Sequence, residues 1–241
     1  MALDRQVALV TGASSGIGRS VAMMLGREGA SVVLAARRAD RLGEVARAIE
    51  DAGGTALAVT ADVTDEEEVD RLHDQAVERF ARIDVLVNNV GVGSYGPVSS
   101  ATTEEFDWMM RANVRSGFLC TRRFLPAMLE RGSGQICFIG SVAGLKGLPG
   151  ESVYCASKFA QMGFAQALDY ETRDRGVKVS VVAPGGVHTE FAIGTGRVAG
   201  DPALDRMLDP DDVAEAVRFA LTQPERSRVF LVGMRPMSEP L

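Results

Sequence analysis

The stretch VALVTGASSGIG at residues 7–18 constrains the fold of this chain more than any other. An apolar run at 7–10 is typical of a buried parallel strand, and residues 19–28 repeat apolar side chains at helical spacing. Between them, Gly12, Gly16 and Gly18 have no Cβ atoms, so a turn can close on a pyrophosphate at a helix N-terminus. The spacing is G-x-x-x-G-x-G and not G-x-G-x-x-G, so the dinucleotide motif fits in mechanism but not in register. A turn that serves only strand-to-helix packing is the alternative.

The second predicted strand, SVVLA at 31–35, ends at the position that distinguishes two nucleotide cofactors. An acidic residue there binds the 2′-hydroxyl of an adenosine ribose and repels a 2′-phosphate. This chain has Ala36 and then Arg37, whose planar guanidinium can pair with phosphate oxygens. The sequence therefore favours NADP(H) over NAD(H), with Arg37 as the phosphate ligand and Arg38 as a solvated neighbour. Two solvated arginines at the start of a helix are the alternative.

Polar residues also follow the third and fourth predicted strands. Asp62, which precedes Val63, can accept a hydrogen bond from an adenine amino group, or it can cap a turn. Asn89 can hold backbone groups of neighbouring loops, and Gly91 permits close approach. A plain turn would contain similar residues.

A long helical pattern at 103–131 is interrupted twice. Asn113 competes for backbone hydrogen bonds, which predicts a local bend or a bound water. Pro126 lacks a backbone N–H, which predicts a kink or a restart of the helix. Before this pattern, Thr64 and Glu67 have the spacing of a capping box, which predicts the start of another helix.

Residues with catalytic chemistry occur in Tyr154-Cys155-Ala156-Ser157-Lys158. On a helix, Tyr154 and Lys158 share a face, so the ammonium is expected near the phenol. A nearby cation favours the phenolate, so we expect the pKa of Tyr154 to be lowered toward neutrality. Ser141 follows the fifth predicted strand, where its hydroxyl can orient a carbonyl oxygen.

The sixth predicted strand leads into a turn and then into the least regular part of the chain. Pro184 and Gly185 turn the chain, Val187 follows, and Thr189 can bond a nicotinamide carboxamide. The segment at about 190–208 contains further glycines and is the expected substrate lid. A disordered segment without function is the alternative.

Composition limits the class of protein. The length of 241 residues predicts one domain, 1–241, and the net charge of -6 argues against nucleic acid as a partner. Three cysteines without a CxxC pair predict neither a disulfide framework nor a metal site, and they fit a reducing compartment. With no apolar run of membrane length and no room for a signal peptide before the first strand, we expect a cytoplasmic protein with no membrane partner.

These motifs together resemble the short-chain dehydrogenase/reductase family from about residue 7 to residue 232. The matching residues are TGASSGIG at 11–18, Asp62-Val63, Asn88-Asn89-Val90-Gly91, Asn113, Ser141, Tyr154 to Lys158, Pro184-Gly185 and Thr189. The resemblance implies an α/β fold, a doubly wound Rossmann fold with a seven-stranded parallel sheet and helices on both faces. It also implies a catalytic tetrad of Asn113, Ser141, Tyr154 and Lys158. The implied cofactor-binding residues are Gly12, Ser14, Ser15, Gly16, Ile17, Gly18, Arg37, Asp62, Val63, Asn89, Gly91, Tyr154, Lys158, Pro184, Gly185, Val187 and Thr189. The family usually has alanine where this chain has Val90, which narrows the cleft floor without removing a chemical group.

The resemblance further implies NADP(H)-dependent hydride transfer between nicotinamide and a small carbonyl or alcohol substrate, with carbonyl reduction as the expected direction. Tyr154 is expected to protonate the alkoxide and Ser141 to hold its oxygen. Lys158 is expected to lower the Tyr154 pKa and bind the nicotinamide ribose, while the bend at Asn113 holds a relay water. A 3-oxoacyl carrier-protein reductase is the first alternative, and a noncatalytic NADP-sensing protein is the second. A homotetramer or homodimer is expected, paired through the helices around 103–130 and 152–170.

Overall fold

The structure, a computed structural model, describes residues 3–239; the outermost two residues at each end of the predicted 1–241 domain lie outside this range. Its strands are β1 Val7–Thr11, β2 Ser31–Ala36, β3 Thr55–Thr60, β4 Val85–Asn88, β5 Gly134–Ile139, β6 Val177–Pro184 and β7 Leu231–Met234. Its helices are α1 Gly16–Arg27, α2 Ala39–Asp51, α3 Glu66–Phe80, α4 Thr103–Met110, α5 Ser116–Arg131, α6 Ser152–Thr172 and α7 Pro210–Leu221.

The seven strands form one parallel sheet in the order β3-β2-β1-β4-β5-β6-β7. The valine-rich strands β1 and β2 are buried along nearly their whole length, as expected for a sheet covered on both faces. One apolar core includes Leu25 of α1 and Val217 of α7, while the other includes Leu72 of α3, Phe124 of α5 and Leu168 of α6. The expected doubly wound α/β fold is confirmed.

The strand order reverses direction between β1 and β4, because β1 pairs with β2 on one side and with β4 on the other. In parallel sheets of this kind, the loops at such a reversal separate and leave a crevice at the carboxyl ends of the strands. The glycine-rich turn after β1 and the asparagines after β4 therefore meet at the same edge.

The ends of several elements differ from the sequence-based expectations. Helix α1 begins at Gly16, three residues earlier than the apolar pattern indicated, because Ser15 is extended and acts as its N-cap. The capping box predicted from Thr64 to Glu67 is wrong: the carboxylate of Asp65 caps α3 by accepting from the Glu68 N–H.

The long helical pattern consists of α4, a π-helical turn at Arg111–Arg115 and α5. The turn is the interruption predicted at Asn113, since a π-turn adds one residue to the helical ladder. The restart predicted at Pro126 is wrong, because α5 runs through it without a break. Pro126 is exposed, so the carbonyl that loses its partner there faces solvent. No helix within residues 3–239 is both long and apolar enough to span a bilayer.

Candidate active site

A cleft of about 1000 Å³ opens at the carboxyl ends of the central strands. The predicted catalytic residues in its wall are Ser141, Tyr154 and Lys158. The predicted cofactor residues in the wall are Gly12, Ser14, Ser15, Gly16, Ile17, Arg37, Asp62, Val63, Asn89, Gly91, Tyr154, Lys158, Pro184, Gly185, Val187 and Thr189. Of the expected site residues, Asn113 and Gly18 are not in the wall.

The glycine turn leaves a cradle that side chains would fill. Gly12 has φ +65°, and a Cβ atom there would lie 2.8 Å from Nδ2 of Asn89. Gly16 has φ +51°, where a Cβ atom would press on Thr189 across the cleft. Asn89, which follows β4, fixes the turn because its Nδ2 donates to the Thr11 carbonyl at 2.9 Å. Backbone N–H groups at the start of α1 thus border an open space suited to a diphosphate.

Gly18 acts on the same turn from behind the cleft wall. A Cβ atom at this position would collide with the Gly12 carbonyl and with Asn89 Nδ2. Its missing side chain therefore lets α1 pack against the turn, and its part in cofactor binding is indirect.

The adenosine end of the cleft contains two arginines, and the structure gives the larger set of contacts to Arg38. The Arg38 guanidinium donates to Ser15 Oγ at 2.6 Å and to Ser14 Oγ at 3.2 Å. It also donates to Glu190 Oε2 at 3.0 Å, across the cleft. The expectation that Arg38 is merely solvated is wrong. Adjacent residues after a strand project to different sides, a signal in the Arg37-Arg38 pair that could have found it.

Asp62 lines this end of the cleft and also caps a turn. Its Oδ1 accepts from the Thr64 N–H at 3.0 Å and from the Thr64 hydroxyl at 2.8 Å. Burial acts to raise the pKa of Asp62, but these hydrogen bonds, together with Arg37 and Arg111, bring it below its usual value. Asp62 therefore stays ionised. It caps a turn, as one alternative predicted, and it lines the cleft, where the hydrogen bond from an adenine amino group stays a prediction.

Ser141, Tyr154 and Lys158 meet at the opposite end of the cleft. Ser141 follows β5, its Oγ accepts from the Ala143 N–H at 3.1 Å, and its hydroxyl is close enough to the Tyr154 phenol to act on the pKa of that group. Lys158 Nζ lies 5.9 Å from the centroid of the Tyr154 ring. It donates to the Ile139 carbonyl at 3.1 Å and to Gln161 Oε1 at 3.2 Å. The helix thus places both side chains at one site, as the spacing predicted.

The predicted direction of the Tyr154 pKa shift is wrong. Burial raises the pKa of Tyr154 above its ordinary value, Tyr95 raises it further, and the Ser141 hydroxyl opposes the rise. Burial also lowers the pKa of Lys158 to about 8. Removing either group from water disfavours its charged form, so burial is the largest cause of both shifts. The cleft therefore contains a neutral phenol beside an ammonium that loses its proton more easily than a free lysine does.

Asn113 is fully buried behind the catalytic wall. Its Oδ1 accepts from the Val92 N–H at 2.7 Å, and its Nδ2 donates to the Val92 carbonyl at 2.9 Å and to Ser157 Oγ at 2.8 Å. All of these partners are protein groups, so the side chain joins the loop after β4 to helix α6.

Several cleft residues were not found from the sequence. The rings of Tyr95 and Phe191 lie 5.7 and 5.8 Å from the Tyr154 ring, measured between centroids. Burial raises the pKa of Tyr95 to about 12, against the opposing effect of Arg197. Glu151 faces the same space, one helical turn before Cys155 on α6. These residues have no motif of their own, and only their nearness in sequence to Gly91, to Tyr154 or to the lid could have indicated them.

The segment predicted as a lid contributes Phe191, Ala192, Ile193, Thr195, Arg197 and Met207 to the cleft wall. The last described residue, Glu239, also reaches the cleft, where its carboxylate accepts from the Gly186 N–H at 3.0 Å. Within residues 3–239, no group of three or more His, Cys, Asp or Glu side chains is arranged to hold a metal ion.

Comparison with known proteins gives the same architecture. A family model described as short chain dehydrogenase matches residues 6–197. An uncharacterised oxidoreductase of Staphylococcus aureus (strain N315) is 37% identical over 235 residues, covering 98% of this chain and 99% of the relative. An alcohol dehydrogenase from the archaeon Thermococcus sibiricus, complexed with 5-hydroxy-NADP, superimposes with TM-score 0.90 at 30% identity, covering 98% of each chain. A short chain dehydrogenase/reductase from Burkholderia phymatum, in complex with NAD, gives TM-score 0.86 at 29% identity, covering 97% of this chain and 90% of the other.

Proposed function

The chain belongs to the short chain dehydrogenase family and is an oxidoreductase, and from this premise we propose that it reduces a carbonyl compound to an alcohol with NADPH. The observation that carries the proposal is the contact between the Ser141 and Tyr154 side chains in the cleft wall, beside Lys158. These are the groups that a carbonyl oxygen needs for orientation and protonation.

The nicotinamide cofactor, when bound, supplies the hydride. Gly12 and Gly16 leave the space for its diphosphate, and the N–H groups that begin α1 face that space. Arg37 and Arg38 offer two guanidinium groups to a 2′-phosphate, and Ala36 leaves no carboxylate to repel it. Since one similar structure contains 5-hydroxy-NADP and another contains NAD, the preference for NADP(H) stays part of the proposal.

The chain's own residues handle the proton. Tyr154 is held as a neutral phenol, so it can donate its proton to the developing alkoxide. Ser141 donates to the same oxygen and holds it in place. The phenolate that results is buried, and the nearby Lys158 ammonium is the group that stabilises it. Cells keep NADPH reduced, which favours the direction of reduction.

Arg122, Arg123 and Arg131 of α5 could meet an acidic carrier protein, but their contacts within the chain give the carrier-protein reductase less support. Arg131 Nη2 lies 3.7 Å from Asp84 Oδ1. Arg122 pairs with Glu66, and Arg123 pairs with Asp70 and Asp74. The chain's own carboxylates therefore already neutralise these guanidinium groups. β7 ends in Gly233 and Met234, and Arg235 and Pro236 follow it, so the chain lacks the Asp-Gly-Gly turn usual in that group.

The assay that tests the proposal follows NADPH oxidation with a panel of ketones, aldehydes and 3-oxoacyl thioesters. We expect Tyr154→Phe to lose at least about a hundred-fold in turnover, the usual scale of general acid catalysis, while it still binds NADPH. The control is Tyr170→Phe, which alters an exposed ring on the same helix. Near-normal turnover of Tyr154→Phe would reject the mechanism, and NADPH binding without turnover of any carbonyl would favour the noncatalytic alternative.

A homodimer or homotetramer and a cytoplasmic location are further parts of the proposal. Exposed rings of Phe118 on α5 and Phe159 on α6 support pairing through these helices. The three cysteines are buried free thiols, which fits a reducing compartment. Sedimentation velocity tests the assembly, and a stable monomer at micromolar concentration would contradict it.

A further inference from the structure

The segment from 191 to 197 is held firmly against the loop that follows β4. Thr195 Oγ1 donates to the Gly93 carbonyl at 2.6 Å, and the Tyr95 N–H donates to the Thr195 carbonyl at 2.8 Å. The Arg197 N–H closes the segment by donating to the Ala192 carbonyl at 2.8 Å. Gly196 packs so closely on the Tyr95 ring that a Cβ atom would overlap it. Arg197 therefore has a defined place at the cleft.

The Arg197 guanidinium is oriented by three neighbours in the cleft wall. Nη1 donates to the Val187 carbonyl at 2.9 Å, and the guanidinium acts to lower the pKa of the neighbouring Tyr95. Cζ lies 5.6 Å from the centroid of the Phe191 ring, at a distance typical of cation–π contact. Within residues 3–239, this guanidinium forms no salt bridge. A guanidinium has five N–H donors, so donors remain for a ligand in the cleft.

The reaction centre lies one aromatic ring away from this cation. Tyr95 and Phe191, which contact the guanidinium, both lie against the Tyr154 ring. A substrate whose carbonyl oxygen meets Ser141 and Tyr154 would therefore extend along these rings toward Arg197. The aromatic walls would cover its carbon chain and exclude water from its end.

We propose that Arg197 binds the carboxylate of the substrate, so that the enzyme acts on oxo acids rather than on neutral carbonyl compounds. The proposal rests on the proposed reductase function. A planar guanidinium held by fixed neighbours matches a carboxylate through two parallel hydrogen bonds, and partial burial strengthens that pairing.

Glu151 and Glu239, two of the carboxylates in the same cleft, support the opposite hypothesis, in which the site prefers a cationic substrate. Glu239 is already bound by the Gly186 N–H and by Arg235, whose Nε lies 3.7 Å from Oε1. Burial raises the pKa of Glu151, while Arg197 acts against the rise. If these acidic groups governed recognition, a cationic carbonyl compound would bind better than an anionic one. The two cases predict opposite preferences for charge.

The test compares acids with their methyl esters, which keep shape and remove charge. One pair is 4-carboxybenzaldehyde and methyl 4-formylbenzoate; the other is 3-oxobutanoate and methyl 3-oxobutanoate. The readout is the ratio of kcat/KM for acid over ester. We expect a wild-type ratio above one in at least one pair, and a fall of about ten- to a hundred-fold in Arg197→Met, the scale of a hydrogen bond to a charged group.

Further variants separate a specific anchor from a general loss of structure. Arg197→Lys should retain part of the preference, since it keeps the charge but loses the planar fork. Arg206→Met removes an arginine that lies in the predicted lid at about 190–208 but outside the cleft wall, so it should leave the ratio unchanged. Glu151→Gln removes a negative charge near the anchor and should raise the ratio.

The outcomes distinguish this proposal from the proposed function. If the esters are reduced and the acid-over-ester ratio does not change in Arg197→Met, the anchor is overturned and the reductase function stands. The same conclusion follows if betaine aldehyde, a cationic probe, is reduced in preference to the acids. If no probe is reduced, the proposed function fails for these carbonyls, and calorimetry of 4-carboxybenzaldehyde with the NADP+ complex decides the anchor. Binding lost in Arg197→Met supports it, whereas equal binding in both proteins, or none in the wild type, overturns it.

Discussion

The Nζ atom of Lys158 lies 5.9 Å from the centroid of the Tyr154 ring, yet its hydrogen bonds go to the Ile139 carbonyl and to Gln161. Burial lowers the pKa of Lys158 to about 8 and raises the pKa of Tyr154. Both shifts favour the uncharged forms. The pair is thus held with its proton on the phenol, where a proton donor is needed.

The depressed pKa of Lys158 predicts a pH dependence of stability. Between about pH 8 and its ordinary pKa of 10.5, the unfolded chain keeps a proton that the folded chain has released. At this site the unfolded state therefore binds more protons, so Lys158 acts to raise the free energy of unfolding with pH from about 8 to about 10, while the buried Cys120 and Cys137 thiols, whose pKa burial raises to about 12, and Tyr154 act in the opposite direction. Urea unfolding across this range should therefore give a slope against pH that is more positive in wild type than in Lys158→Met. Lys146→Met, at a less buried lysine, is the control, and equal slopes in all three proteins would contradict the prediction.

Both arginines at the adenosine end are expected to determine cofactor choice. Arg38→Ala and Arg37→Ala should each weaken NADPH binding by about ten-fold, because each removes hydrogen bonds between a cation and a phosphate, and NADH binding should change much less. Arg37→Asp should shift preference toward NADH. Fluorescence titration with each nucleotide measures these affinities. Arg47→Ala, an exposed position on α2, should change neither, and an unaltered preference in both Arg37 and Arg38 variants would remove them from the site.

The Gly12 carbonyl and the Asn89 side chain lie so close to Gly18 that one added methyl group should disturb both cofactor binding and stability. Gly18→Ala should displace the Gly12 carbonyl or Asn89, and so weaken NADPH binding by more than about ten-fold and lower Tm by several degrees. Gly43→Ala is the matched control, since a Cβ atom in this interior position of α2 meets nothing within 4 Å. It should leave binding unchanged and raise stability by up to about 1 kcal/mol. Equal effects of the two substitutions would refute the packing role of Gly18.

Asn113 should matter for stability as much as for activity. Asn113→Ala leaves the N–H and carbonyl of Val92 without their partners, which should cost about 2 kcal/mol or more in the free energy of unfolding. Asn113→Asp keeps the acceptor for the Val92 N–H but buries a carboxylate against the Val92 carbonyl, so a loss at least as large is expected. Denaturant unfolding measures both losses. An Asn113→Ala protein as stable as wild type would show that this network contributes nothing to the fold.

The sequence predicted the fold and the strand-end turns that line the cofactor side of the cleft because those features depend on local patterns. Valine runs define buried strands, and glycines without side chains define the turn after β1, so the position of Gly12 and Gly16 follows from chain order. The i, i+4 spacing on a helix likewise brings Tyr154 and Lys158 to one site.

What the sequence could not predict depends on contacts between distant parts of the chain. The direction of the Tyr154 pKa shift follows from burial by Tyr95 and neighbouring elements, and no local spacing encodes that burial. The substrate side, with Arg197 held by the Val187 carbonyl, forms only when an irregular segment packs on the loop after β4. The ion pair of Arg38 with Glu190 also joins residues 152 positions apart, so no local spacing could predict that pair.

The bridge between Arg38 and Glu190 has a kinetic consequence. The Glu190 carboxylate joins opposite rims of the cleft by pairing with Arg38 and also with Arg41, but all three side chains are exposed to solvent, and an ion pair of this kind contributes under about 1 kcal/mol. Thermal motion can therefore break these pairs at a low energetic cost. A dinucleotide that enters or leaves the cleft would therefore meet little resistance from these ion pairs. Its residence time would depend mainly on its contacts with the glycine turn after β1.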